Sequence, residues 1–265
     1  MLNLLSTWLM AAHLLIAATA DEIIGTFTHD AVRWKMTFDI DKDSNVVLTF
    51  EVPGKEPFVG LSFPLSGGPG TYTFDDEGLF EAGLFEGVNL WHIGIRSRLP
   101  QANISPGDLS TLTFKSFRVL SATFEGREID FTRVTYEATP GVFQYVSRTN
   151  AQYEIASNVY SDGQVVTDFQ CFGFRSFRAT LNLARDLSSR TIQYDLTPSR
   201  TTRNFVSLLE RACNIGDFTR TLSRAIFAAP NTIYVPLEGD VVALTNEGTP
   251  LSPRSSCCTH NDPKA

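Results

Sequence analysis

"VVLTFEV", residues 46–52, returns as "VVTDFQC", residues 165–171, and this return decides how the chain is read. Both stretches alternate apolar and polar side chains with the period of two that a half-buried β-strand requires. Four other landmarks recur in the same order: Gly25-Thr26-Phe27 with Gly141-Val142-Phe143, "TYTFD" (71–75) with "TIQYD" (191–195), "GDLS" (107–110) with "GDFT" (216–219), and "FEGREIDFT" (124–132) with "LEGDVVALT" (237–245). Each match alone is short, but their colinearity is the mark of a tandem duplication. The sequence therefore predicts two related modules, 21–138 and 139–247, followed by a polar tail at 248–265.

The strand pattern extends outward from these stretches. Trp34, Met36, Phe38 and Ile40 share one face, and Leu48, Phe50 and Val52 continue it after a polar turn. In the second module Tyr153 with Ile155, Phe169 with Cys171, and Ile192, Tyr194 and Leu196 do likewise. The Glu-Gly pairs 125–126 and 238–239 sit between two alternating runs, where glycine supplies the positive φ of a tight hairpin turn. One segment per module breaks the period. In "SRTTRNFVSLLERACN" (199–214), Phe205, Leu208, Leu209 and Ala212 follow helical spacing, with Ser199 or Thr201 as N-cap. Its counterpart is "EGLFEAGLFEGVNLWH" (77–92), in which Phe80, Leu84, Val88 and Trp91 form a helical stripe. The expected fold is α+β and β-rich: per module, an antiparallel sheet of about six or seven strands with one helix packed on it.

Residues 1–20 carry no charge, hold an apolar run from Leu4 to Ala18 and end in Ala18-Thr19-Ala20, the pattern of a cleaved secretory signal peptide. A secreted, extracellular protein without membrane contact after cleavage is expected. Arginine and lysine total 22 against 29 acidic residues, with no basic run, which argues against a nucleic-acid partner. The charge is uneven: residues 21–138 hold 18 acids and 10 bases, residues 139–247 hold 10 of each, and the second module's bases are all arginine.

Secretion makes disulfides available. Cys171 ends a strand and Cys213 ends the predicted helix, while the first module has Val52 opposite Cys171 and no cysteine, so a Cys171–Cys213 bridge is expected. Cys257 and Cys258 sit in the tail, and their pairing stays open. "NIS" makes Asn103 a glycosylation acceptor.

Catalytic signatures are sparse. There is no GxSxG nucleophile elbow, no HExxH zinc helix and no phosphate-binding glycine loop. Asp39, Asp41 and Asp43 are spaced like the start of a calcium loop, but Ser44 and Phe50 stand where glycine and glutamate belong. No cofactor or metal is expected, and an enzyme is the less favoured reading. "FGFRSFRATLNLAR" (172–185) interleaves Phe174 and Phe177 with Arg175, Arg178 and Arg185, a combination suited to an apolar ligand with an anionic head. The leading expectation is thus a secreted, non-catalytic binding protein for an apolar or anionic small ligand. The alternatives are a structural or protein-interaction component of the extracellular surface, and an acid-triggered membrane-active protein acting through residues 77–92, where protonation of Glu77, Glu81 and Glu86 removes the charges opposing insertion.

Overall fold

The computed structural model describes residues 23–68, 70–74, 87–146, 153–171, 176–189, 191–199, 222–237 and 240–246. The first module contributes β1 (Gly25–Asp30), β2 (Lys35–Ile40), β3 (Asn45–Glu51), β4 (Phe58–Val59), β5 (Phe63–Gly67), β6 (Thr71–Phe74), helix α1 (Gly87–Arg98), β7 (Thr111–Ser116), β8 (Val119–Phe124) and β9 (Arg127–Arg133). The second contributes β10 (Gly141–Val146), β11 (Tyr153–Val159), β12 (Gln164–Cys171), β13 (Ser176–Arg185), β14 (Tyr194–Pro198), β15 (Arg224–Ala229), β16 (Thr232–Leu237) and β17 (Asp240–Thr245).

The antiparallel sheet expected in each module closes on itself and has eight strands, not six or seven. In the first, β1 pairs with both β2 and β9, and β2 pairs with β3, which completes an antiparallel barrel of eight strands with β4 beside β3. In the second, β10 to β17 form a closed barrel. Closure satisfies the backbone groups that an open sheet leaves at its edges. It was not legible because strands as short as β6 show too few positions to establish a period. Inward positions fill two separate cores, one around Phe27, Phe38, Phe50 and Trp91, the other around Phe143, Phe169 and Phe227.

Register makes the two barrels comparable residue by residue. Gly25 opposes Ile40 as Gly141 opposes Val159, and Ile40 opposes Val46 as Val159 opposes Val165. The turns that follow share a pattern: Asp41 N–H donates to Asn45 O and Tyr160 N–H to Gln164 O, with Ser44 and Gly163 at positive φ. Both modules shift register late, between Phe114 and Ser116 and between Phe227 and Ala229. Glu125 and Gly126 both have positive φ, the turn expected for that hairpin; Glu238-Gly239 lies outside the described residues.

Two sequence matches are displaced by this register. Strand pairing equates Tyr72 with Tyr194, not with Ile192, because the β13–β14 loop is longer than the β5–β6 loop. Leu109 matches Leu222: both are buried at positive φ, and their N–H groups donate to Thr123 O and Pro236 O respectively. The "GDFT" stretch itself lies outside the described residues.

The first helix also differs from expectation. α1 is described over Gly87–Arg98 and so runs six residues past the expected end at 92; Val88 and Trp91 belong to it, while Phe80 and Leu84 lie outside the described residues. The predicted helix at 199–214 is likewise outside them but for Ser199. No helix among the described residues is long and apolar enough to cross a membrane.

The barrels touch through the outer face of β15 to β17. Ile24 and Phe117 of the first pack with Ala228, Tyr234 and Ala243 of the second. Arg133, at the end of β9, is buried between the rings of Phe27, Phe117 and Tyr234. The linker then runs along the second barrel, with Tyr136 N–H donating to Phe227 O and Ala138 N–H to the Tyr194 hydroxyl.

Candidate functional site

The barrel interiors differ at one level, and that difference builds the site. In the first barrel α1 drives Trp91 inward until it is fully buried, its ring centroid 5.0 Å from Phe63, 4.9 Å from Phe74 and 6.0 Å from Phe38. The strand beside it yields to make room. Between Val59 and Phe63 the chain holds one residue more than β13 places between the equivalent Arg178 and Leu181. Within that interruption Gly60 lies so near the indole that a Cβ there would sit 2.3 Å from Trp91 Nε1, and Leu61 O accepts the indole N–H at 3.1 Å. Gly94 of α1 gives equally close passage to Phe58.

In the second barrel the indole's described aromatic partners, Phe38, Phe63 and Phe74, are all replaced, as are two neighbouring leucines. Register places Ser157 where the first barrel has Phe38, Thr167 for Leu48, Leu181 for Phe63, Leu196 for Phe74 and Ala225 for Leu112. All five replacements are smaller, and all five line an internal chamber. As the side chains stand, the space open to water is about 20 Å³, room for about one water molecule. No described lining residue is charged. Its polar feature is the cross-strand pair Ser157–Thr167, with Oγ and Oγ1 3.0 Å apart and both residues buried.

Of the residues expected to form the arginine site, Phe177 and Arg178 on β13 lie on opposite faces of the sheet. Phe177 turns inward and packs on the core, whereas its neighbour Arg178 points outward, its side chain 72% exposed. Arg178 is bidentate with Asp168, at 2.7 and 2.8 Å, and this carboxylate raises the guanidinium's pKa further. Alternation along a strand puts consecutive residues on opposite faces, so Phe177 faces the barrel interior and Arg178 the outside. Arg185 is paired with Glu137 at 2.6 Å; Glu137 also accepts the Tyr194 hydroxyl, whose pKa is raised by burial and then by that carboxylate. Phe174 and Arg175 lie outside the described residues.

Other sequence features take structural roles. Asp41 Oδ1 accepts the N–H groups of Asp43 and Asn45, which fixes the hairpin turn that resembled a calcium loop. His29 contacts Asp130 O and stacks on Trp34. His92, buried on α1, donates from Nε2 to Asp108 O at 2.7 Å and borders a polar pocket with Asn89, Asp108 and Ser110. Asn103 is exposed in the loop after α1. Cys213, Cys257 and Cys258 lie outside the described residues, as do residues 1–20. Of the side chains that the membrane reading needs at the surface, Trp91 is fully buried.

The signal for the chamber was present in the sequence, since Phe38 and Leu48 occupy repeat positions where Ser157 and Thr167 follow. It was missed because alternation alone does not distinguish a buried hydroxyl from an exposed one. No protein-family model and no curated protein matches this sequence.

Proposed function

We propose that the protein is a secreted, non-catalytic binding protein whose ligand chamber is the interior of the second barrel. The observation that carries this reading is the coordinated replacement around Trp91: the first barrel fills its own centre with an indole, and the second has smaller side chains at each matching wall position. A barrel of eight strands is wide enough either to be filled by side chains or to hold one small ligand. The two modules, meeting near residue 139, divide these two outcomes between them. A ligand larger than a water requires the leucines lining the chamber to change rotamer. Phe177 stays in the reading as an inward-facing side chain, while Arg178 leaves it.

The reading includes one helix per module, the second at 199–214, and a Cys171–Cys213 disulfide. Cys171 is buried at the end of β12 and is not a free thiol. It also includes a glycan at the exposed Asn103. A second reading, a protein-interaction component, draws support from Val59, Leu61 and Ile93, large apolar side chains exposed on the α1 side of the first barrel.

Native mass spectrometry of the chain secreted from an oxidising host tests the main reading. A small extra mass that is lost on denaturation, and absent from Leu196→Phe, is expected. A bare chain in both proteins, with no mass gained from a secreted-extract incubation, would turn the assignment to the interaction reading.

A further inference from the structure

Given the chamber reading, on which this step rests, we infer that the ligand is a neutral molecule with one hydrogen-bond acceptor, a carbonyl, ether or hydroxyl oxygen, on an otherwise apolar body. The argument begins with the hydroxyl pair. Ser157 and Thr167 face each other across β11 and β12, and the bond between them uses one O–H. Among the described residues neither side chain has a further hydrogen-bond partner, so the second O–H remains to be given. It opens on a chamber otherwise lined by Val159, Val165, Leu181, Leu196 and similar side chains, none of which offers an acceptor.

Three ligand classes are separated by this arrangement. A pure hydrocarbon leaves the O–H without a partner, which costs affinity because burial removes water as the alternative acceptor. A carboxylate or phosphate brings a charge into a space with no cation among its described lining residues, and Arg178 and Arg185 are engaged with Asp168 and Glu137 outside that lining. A single neutral acceptor satisfies the spare O–H and carries no charge into the interior. At the same two positions the first barrel has Phe38 and Leu48, neither of which can form a hydrogen bond through its side chain.

Calorimetric titration with three molecules of near-equal shape tests the inference: acetophenone (neutral acceptor), cumene (no acceptor) and benzoate (charged). Acetophenone is expected to bind about tenfold tighter than cumene, the value of roughly one hydrogen bond, with no heat from benzoate at the same concentrations. The Ser157→Ala/Thr167→Val double variant should erase that preference and keep cumene binding, its fold checked by a cooperative thermal transition. Equal binding of acetophenone and cumene, both lost in Leu196→Phe, would overturn the inference and leave the chamber standing. Benzoate binding as tight as acetophenone would overturn the neutrality of the ligand alone. Binding of none of the three, or binding unchanged by Leu196→Phe, would remove chamber and inference together.

Discussion

Arg133 and Tyr234, one from each barrel, donate to the same acceptor, the carbonyl oxygen of Ile24, with the Tyr234 hydroxyl at 2.7 Å. The guanidinium also lies 4.8 Å from the Tyr234 ring centroid and donates from Nε to Phe117 O at 2.7 Å. One buried carbonyl therefore joins three chain segments, and the two barrels are expected to unfold as one unit. Tyr234→Phe removes a single neutral hydrogen bond and should cost about 1 kcal/mol, whereas Arg133→Ala also removes buried, charge-assisted bonds and should cost about 3 kcal/mol. Urea unfolding followed by fluorescence checks both; two separated transitions in Arg133→Ala, against one in the parent, is the expected sign of uncoupling.

The Trp91 cage predicts an effect confined to the first barrel. Trp91→Ala empties the centre of a filled core and should cost about 3–5 kcal/mol. Gly60→Ala should also be destabilising, since its Cβ would have to occupy space already held by the indole. Amide hydrogen exchange distinguishes local from global damage: protection should fall in β3, β5 and β6 and persist in β12 and β16. Equal loss in both barrels would show that the cage supports the whole chain.

Repeat order, strand alternation and the β8–β9 turn were legible because they depend on local residue type. The hidden parts depend on closure and register. Nothing local in β1 announces that it pairs with β9, and the equivalence of Leu109 with Leu222 emerges only from matching backbone bonds to Thr123 and Pro236. Arg178 beside Phe177 looked like a binding pair until the sheet placed them on opposite faces. Arg133 gave no signal as a buried residue, because its burial is created by the second barrel.

Acid should act on the loop that precedes β14. Asp186 has its pKa lowered to about 2, chiefly by the Ser188 hydroxyl, then by the Gln193 side chain and the Ser188 N–H. Gln193 in turn accepts from Arg118 of the first barrel at 2.7 Å. A carboxylate with a depressed folded pKa stabilises the fold fully above its unfolded pKa of about 3.9 and progressively less as pH falls toward 2. The Ser188 amide resonance should therefore titrate with a midpoint near that of Asp186, and Asp186→Asn should abolish the titration. A midpoint at the ordinary aspartate value would mean that these hydrogen bonds are not formed in solution.

The proposed Cys171–Cys213 bridge predicts a stability loss with a separable cause. Closing a loop of this length is worth about 4 kcal/mol in the chain-entropy estimate. Cys171→Ala and Cys213→Ala should lower the melting temperature equally, and the double variant should be no worse than either single one. Peptide mapping without reduction identifies the partner directly; a Cys171 peptide joined to residues 257–258 would reassign the bridge to the tail.

The hydroxyl pair in the second barrel makes a prediction that an ordinary core pair does not. Removing one member leaves the other buried with less hydrogen bonding, so Ser157→Ala or Thr167→Val alone should cost about 1–3 kcal/mol. Replacing both removes the polar requirement with the groups themselves, so the double variant should be close to the parent or more stable. The coupling free energy from that double-mutant cycle, read from denaturant midpoints, should thus be large and opposite in sign to the single losses. Simple additivity would show that each hydroxyl has its own water or ligand partner in solution. A double variant more stable than the parent would mean that the two hydroxyls are retained at a cost, as the proposed ligand site requires at positions where the first barrel has Phe38 and Leu48.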